Sequence, residues 1–520
     1  MGRTGAIRTA FAVLTTSLLI GNAHADDLQA NQLLLQQRID QLAAVGLAPD
    51  VFGVATNPAA SAPATAGSFP RSILIPGTDT SIKIYGQITE VMDYWMSGGN
   101  PNTSPQSTTV GDNGQVQSAP LNGSGVAKAR SNGIWWTTPK ESKIGFETRT
   151  PTPLGQVRTV FEFDWAGSGS FAPGGANPTS VSDNLVPRLR YAYGTLGGLL
   201  AGQATSNFSD PDANSECLDF GCNVGDPGHV RVPQVRYTIP LTIGSFSVSA
   251  ETPATDIGTP AGIEASDAGV TSSITTAAPT CTAAGATITC TAPASALIGS
   301  GPLPLNVAKA TAPDLTAAWY LPQSWGHLDI SAVIRPGLDV TDGKFFARDF
   351  IGYGGHFGMS FRPGWFGWAK DTFNGQLVVG EALGSFLNSS GNFSLATNYG
   401  APGKYGAFGG PTTAAAAGSV LVRPTFEWGG EMGYQHWWAP NLRSNISFGL
   451  NSHTIPTALV ASAGNFNGMN KTLKTFHTNL IWNPVSMVDI GIEYMWGERT
   501  TINNGHGTEN VLISKIAFRF

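Results

Sequence analysis

At 520 residues the chain is long enough for several soluble domains, yet only 12% of it is charged, about half the soluble average, while its 64 glycines and 34 prolines approach a fifth of it. A formal net charge of −6 offers nucleic acid no basic partner, and no stretch reaches the ~20 apolar residues of a membrane-spanning helix. Low charge without long apolar runs, at a mean hydropathy of −0.01, fits alternating strands whose oily residues hide among polar ones.

The chain begins with an apolar run, Ala10 to Ile20, that follows Arg3 and Arg8 and ends in Ala23-His24-Ala25. This predicts a secretory signal peptide over 1–25. Asp26 to Val45 then carries Leu28, Leu35 and Leu42 every seven residues, with Gln32 and Ile39 in the other seam position. The spacing predicts a helix over 26–47, either a short periplasmic coiled coil that helps set a trimer or a lone amphipathic helix. Residues 48–81 follow as an Ala/Pro/Ser-rich linker whose composition cannot build a core.

From Ile82 to Phe520 the period is two. Strand pairs flank tight turns at Thr150 to Gly155, Thr195 to Gly197, Pro240 to Gly244, Pro322 to Gly326, Ala439 to Asn441 and Asn483 to Ser486. Between these hairpins the connections are long, among them 96–141, 205–231, 252–312 and 383–419. Alternating short and long connections predict an all-β fold, a 16-stranded antiparallel transmembrane barrel with periplasmic turns and external loops. Two places resist the pattern: Glu90 falls on the apolar parity of the first strand, and Arg423 to Trp437 is too long for one simple strand.

Parity sorts the side chains between lipid and water. Val157, Thr159, Phe161, Phe163 and Trp165 face one way; Arg158, Glu162 and Asp164 face the other. By the same rule Leu189, Tyr191 and Tyr193 are expected at lipid and Arg188 and Arg190 in the lumen, with Gln234, Arg236, His327, Asp329 and Arg335 also inside. A barrel of sixteen strands is too wide for side chains to fill and leaves an aqueous channel. Two readings of its charges stand. In the first, Arg158, Arg188, Arg190, Arg236 and Arg335 form a positive ladder that selects anions, since guanidinium groups stay charged and present paired donors to carboxylates. Alternatively they pair with Glu147, Glu162 and Asp164 and line a wet wall.

Four cysteines in an exported chain permit disulfides, and local pairing of Cys217 with Cys222 and Cys281 with Cys290 is the simplest of three connectivities. A metal site at the first pair lacks a completing ligand set nearby, so neither metal nor cofactor is expected. The last strand, Val511 to Phe520, alternates apolar with charged and ends on an aromatic residue. Such an end resembles the closing strand that the outer-membrane assembly machinery reads, which makes Phe520 the expected assembly signal.

Several segments resemble the DcaP-like trimeric outer-membrane porins: Ile82-Lys83-Ile84-Tyr85-Gly86, Ser142-Lys143-Ile144-Gly145-Phe146, Val160 to Trp165, and above all Arg188-Leu189-Arg190-Tyr191-Ala192-Tyr193 with Leu200 to Phe208 after it. The resemblance covers mainly 26–45 and 82–210. It implies a homotrimer in the Gram-negative outer membrane, its N-terminus in the periplasm, passing small anionic solutes such as dicarboxylates or aromatic acids, with Arg188 and Arg190 as pore arginines. The rival classes are an adhesin or surface receptor acting through the long loops, and an outer-membrane hydrolase. The hydrolase lacks any H-E-x-x-H or G-x-S-x-G signature or a nucleophile–base pair, so no enzyme is expected.

Overall fold

The computed structural model describes residues 66–99, 132–167, 186–253, 308–341, 347–387, 394–397, 421–459, 470–502 and 504–520, with short pieces of the loops between them. The expected signal peptide, the helix over 26–47 and the start of the linker lie outside the described residues.

Sixteen antiparallel strands close into a barrel. In chain order they are β1 Ser81–Ser97, β2 in two segments (Ile134–Thr138 and Lys143–Thr152), β3 Gly155–Gly167, β4 Val186–Leu196, β5 Leu199–Thr205, β6 Arg231–Pro240, β7 Ser245–Glu251 and β8 Asp314–Gln323. The second half comprises β9 Gly326–Thr341, β10 Ala347–Phe361, β11 Thr372–Glu381, β12 Phe426–Ala439, β13 Leu442–Thr454, β14 Asn470–Val485, β15 Val488–Thr501 and β16 His506–Arg519. Each strand pairs with its sequence neighbour, and β16 returns to β1 from Arg519 opposite Gln87 to Asn510 opposite Ser97. Closure leaves no sheet edge, so every ladder amide finds a partner without water, as a lipid environment demands. Phe520 completes the seam, donating its amide to Gly86 O at 3.1 Å and accepting from Gly86 N at 3.2 Å.

The short turns suit their residues. Gly197, in the link between β4 and β5, has φ +58°, a left-handed conformation that glycine adopts without steric cost. The parity rule holds around most of the wall: Ile88, Val235, Ile334, Ile351, Met432 and Ile492 are half or more exposed on the outer face, as a lipid-facing belt requires.

Where the pattern faltered, the structure supplies reasons. Val422–Pro424 is a separate short strand paired with Leu395–Thr397, so the over-long segment is a barrel strand with an extension beyond the wall. Glu90 does point outward and accepts a hydrogen bond from Thr137 Oγ1. Residues 66–80, expected as linker, fold back beneath the barrel. There Ile73–Leu74 pair with Ile82 and Ser81, and buried Phe69 lies under Arg149, whose guanidinium carbon is 4.4 Å from the ring centroid.

Candidate functional site

Most of the lumen is shaped by one loop. Residues 206–230, between β5 and β6, turn inward and lie along the wall from β7 round to β16. Carboxylates rising from that wall hold the loop's polar groups. Glu251 of β7 accepts from Asn207 N at 2.7 Å and Ser206 Oγ at 2.6 Å. Glu431 of β12 accepts from Ser215 N at 3.1 Å and Asn223 Nδ2 at 2.7 Å. Glu493 of β15 accepts from Leu218 N at 2.7 Å and Asp219 N at 3.3 Å. Buried polar groups are costly unless hydrogen-bonded, and here each acid and each loop amide supplies what the other needs.

The loop lies so close to the wall that glycines form its bed. A methyl built on Gly449 of β13 would stand 2.6 Å from Asn223 Cβ and Val224 O, and one on Gly491 of β15 would be 2.7 Å from Leu218 Cδ1. Gly429 meets the loop backbone at Gly225, and Gly358 and Gly433 lie under Asp210 and Ser215. Two apolar contacts complete the docking. Phe208 at the loop's base packs with Val333, Val378, Leu383 and Phe386, and Leu218 at its tip enters a cluster of Val91, Trp95, Ile481, Met495, Val511 and Ile513. The Cys217–Cys222 disulfide closes the tip, as expected for the first cysteine pair. In the long loop 252–312, the hairpin of Thr280–Ala284 and Thr287–Thr291 sets Cys281 opposite Cys290 in register.

The channel therefore runs between this loop and the opposite wall, β2 to β6, where most of the expected arginines stand. Arg158 donates Nε to Glu147 at 2.9 Å; Arg190 bonds Glu162 at 2.7 Å and Asp164 at 2.9 Å; Arg188 forms a two-pronged pair with Asp164 at 3.0 and 2.6 Å. These arginines are paired with the acids, and the cations outnumber them. On β2 to β4, Lys143, Arg149, Arg158, Arg188 and Arg190 stand against Glu147, Glu162 and Asp164. Arg188, with 38% of its side chain exposed, is wetter than Arg158 (18%) or Arg190 (14%). Arg236 lies half-buried on the lumenal parity of β6.

Two expectations need correction. Tyr191 and Tyr193 face the lumen, not lipid. The register between β3 and β4 shifts at Arg190: Glu162 is opposite Tyr191, but the next residue, Phe163, is opposite Leu189. A bulge of one residue reverses the facing of everything beyond it. Arg188, Arg190, Tyr191 and Tyr193 consequently all look inward, and Arg158 Nη1 reaches Tyr193 Oη at 3.4 Å while Arg231 lies 5.2 Å above Tyr191. Arg335 does not line the water path, since it is fully buried. It donates to Asp314 at 3.0 Å, to Ser394 Oγ at 2.8 Å and to Ala382 O, clamping the segment after β11 to the wall. Its parity was inward, but a segment distant in sequence covers it.

Residues 73–511 match a family model described as a porin subfamily. The fold is similar to the outer membrane channel DcaP of Acinetobacter baumannii at 20% identity and a TM-score of 0.57, with 85% of this chain and 97% of that one covered. OmpF of Salmonella typhi (10% identity, TM-score 0.45, 85% of this chain and 98% of that one) and an anion-selective porin from Comamonas acidovorans (8%, 0.44, 85% and 100%) are more distant. None of the curated proteins matches the sequence. With a closed barrel of sixteen strands around a partly filled lumen, the chain belongs to this porin family and is an outer-membrane channel for passive diffusion, not an enzyme.

Proposed function

We propose that the channel favours small anionic solutes and works as a homotrimer. One observation carries the first part: the two sides of the lumen use their charges differently. Carboxylates of β7, β12 and β15 are occupied with loop amides, whereas the wall facing the gap holds more guanidinium groups than acids to neutralise them. A cationic wall beside water raises the local concentration of anions without holding any one tightly. Inward tyrosines beside Arg158 and Arg231 add flat, polarisable surface, which suits carboxylates that carry an aromatic ring as well as dicarboxylates.

The trimer reading is supported by the outer face of β1 to β3. There Glu90 bonds Thr137, and Thr148 bonds Thr159 at 2.6 Å between hydroxyls, on a parity that elsewhere is apolar. Polar outward residues suit a neighbouring copy better than lipid tails. The expected coiled coil over 26–47 would add a periplasmic contact to the same assembly.

Reversal potentials across planar bilayers under a KCl gradient test the selectivity. Arg188→Gln with Arg190→Gln is expected to lower the chloride-over-potassium permeability ratio by about tenfold, since each neutralised group removes a charge from a confined path. An unchanged potential would refute the role of these arginines.

A further inference from the structure

The loop tip is pinned on one side and reaches out on the other. Leu218 is buried against β14 to β16, its amide held by Glu493 and its carbonyl accepting from Lys515 Nζ at 3.3 Å. Asp219 Oδ2 accepts from Gly221 N and Cys222 N, both at 2.9 Å, and the disulfide locks that turn. Two residues beyond Leu218, Phe220 points away from the anchoring wall. Its ring centroid lies 5.0 Å from Lys140 Nζ, in the break between the two segments of β2, and 5.2 Å from Arg188 Cζ on β4. Arg188 holds Asp164 with the edge of its guanidinium, which leaves the flat face for the ring.

We infer that Phe220 is a gate that anionic solutes displace, an inference that rests on the anion-favouring reading above. The rigid tip presents the ring across the gap, and two cations of the opposite wall hold it there. A cation–ring contact at a wet site is weaker than a charge-assisted hydrogen bond, and Arg188, with 38% of its side chain exposed, is the wet one of the two cations, Lys140 being buried. An arriving carboxylate therefore takes Arg188 from the ring while buried Lys140 stays in the wall, and the loosened ring opens the path for the solute that opened it. A neutral solute of the same size makes no such exchange and meets a closed ring.

Fluxes of glutarate and of xylitol, two five-carbon solutes, into proteoliposomes test this. Phe220→Ala is expected to raise xylitol flux about fivefold, the weight of two lost cation–ring contacts, and to change glutarate flux less than twofold. Phe220→Leu keeps apolar bulk without a π face and should behave like the alanine variant, while Phe220→Trp should behave like the parent. Equal rises for both solutes, or an unchanged xylitol flux, would overturn the gate while leaving anion preference intact. A parent channel that passes both solutes equally would sink the anion-favouring reading itself, and the gate with it.

Discussion

The wall of β2 to β4 and the wall of β12 to β15 are built from the same alternating strands, yet their acids do opposite work. On the first, Glu147, Glu162 and Asp164 space and orient arginines along water. On the second, Glu431 and Glu493 are buried at 5% and 1% exposure and their oxygens are taken up by the loop. Side-chain size differs in the same sense. The loop-bearing wall offers Gly429, Gly433, Gly449 and Gly491 toward the lumen, whereas the facing wall offers arginines and tyrosines. An alternating strand fixes only which residues look inward. Whether an inward acid serves water or a folded-in loop depends on how much room its neighbours leave.

The comparison breaks most sharply at Glu493. Replacing it with alanine strands the Leu218 and Asp219 amides and His477, whose Nδ1 lies 2.9 Å from the carboxylate, and should weaken loop docking by about 3 kcal/mol. Single-channel conductance should rise and the loop should become open to protease, with Gly449→Val giving the same phenotype by overpacking. If conductance and cleavage both stay at parental levels, the loop does not depend on this wall. A smaller effect is expected from replacing Cys217 and Cys222 with serine. Freeing a ring this short costs about 2 kcal/mol at most, and the tip is still held by Leu218 and Glu493. Open-channel current noise should increase while mean conductance holds. A collapsed conductance would mean that the staple, not the wall, positions the loop.

The barrel was legible because lipid and water impose period two on every strand, and because Pro, Gly and Asn mark each tight turn. The arginines were legible for the same reason. The bulge at Arg190 was not: in Arg188 to Tyr191 charged residues alternate with apolar or aromatic ones, and both tyrosine and the Ala192 that follows suit either solvent, so one extra residue leaves no mark. Arg335 shows a related limit, because parity says inward while burial is decided by Ala382 and Ser394, remote from it in sequence. The loop over 206–230 has no period to read. Its signal lay on the wall instead, in glycines at lumenal parity on β10, β12, β13 and β15, each placed under a different part of the loop.

The outer surface extends the comparison at lower energy. The side of the barrel that carries the cationic wall inside also carries Glu90, Thr137, Thr148 and Thr159 outside, while the loop-bearing side shows residues such as Leu377, Met432 and Ile446. A carboxylate facing lipid costs less than the roughly 2–4 kcal/mol of an arginine at mid-depth, so its removal is a small perturbation of about 1 kcal/mol. Its sign is what matters. If β1 to β3 face lipid, Glu90→Leu should raise the thermal stability of the isolated barrel and leave its oligomeric state alone. If they face a second copy, the same change leaves Thr137 Oγ1 without its acceptor inside an interface, and the trimer should dissociate at a lower temperature on a native gel. We expect the second result; a stabilised barrel with an undisturbed assembly would place the contact between copies elsewhere on the wall.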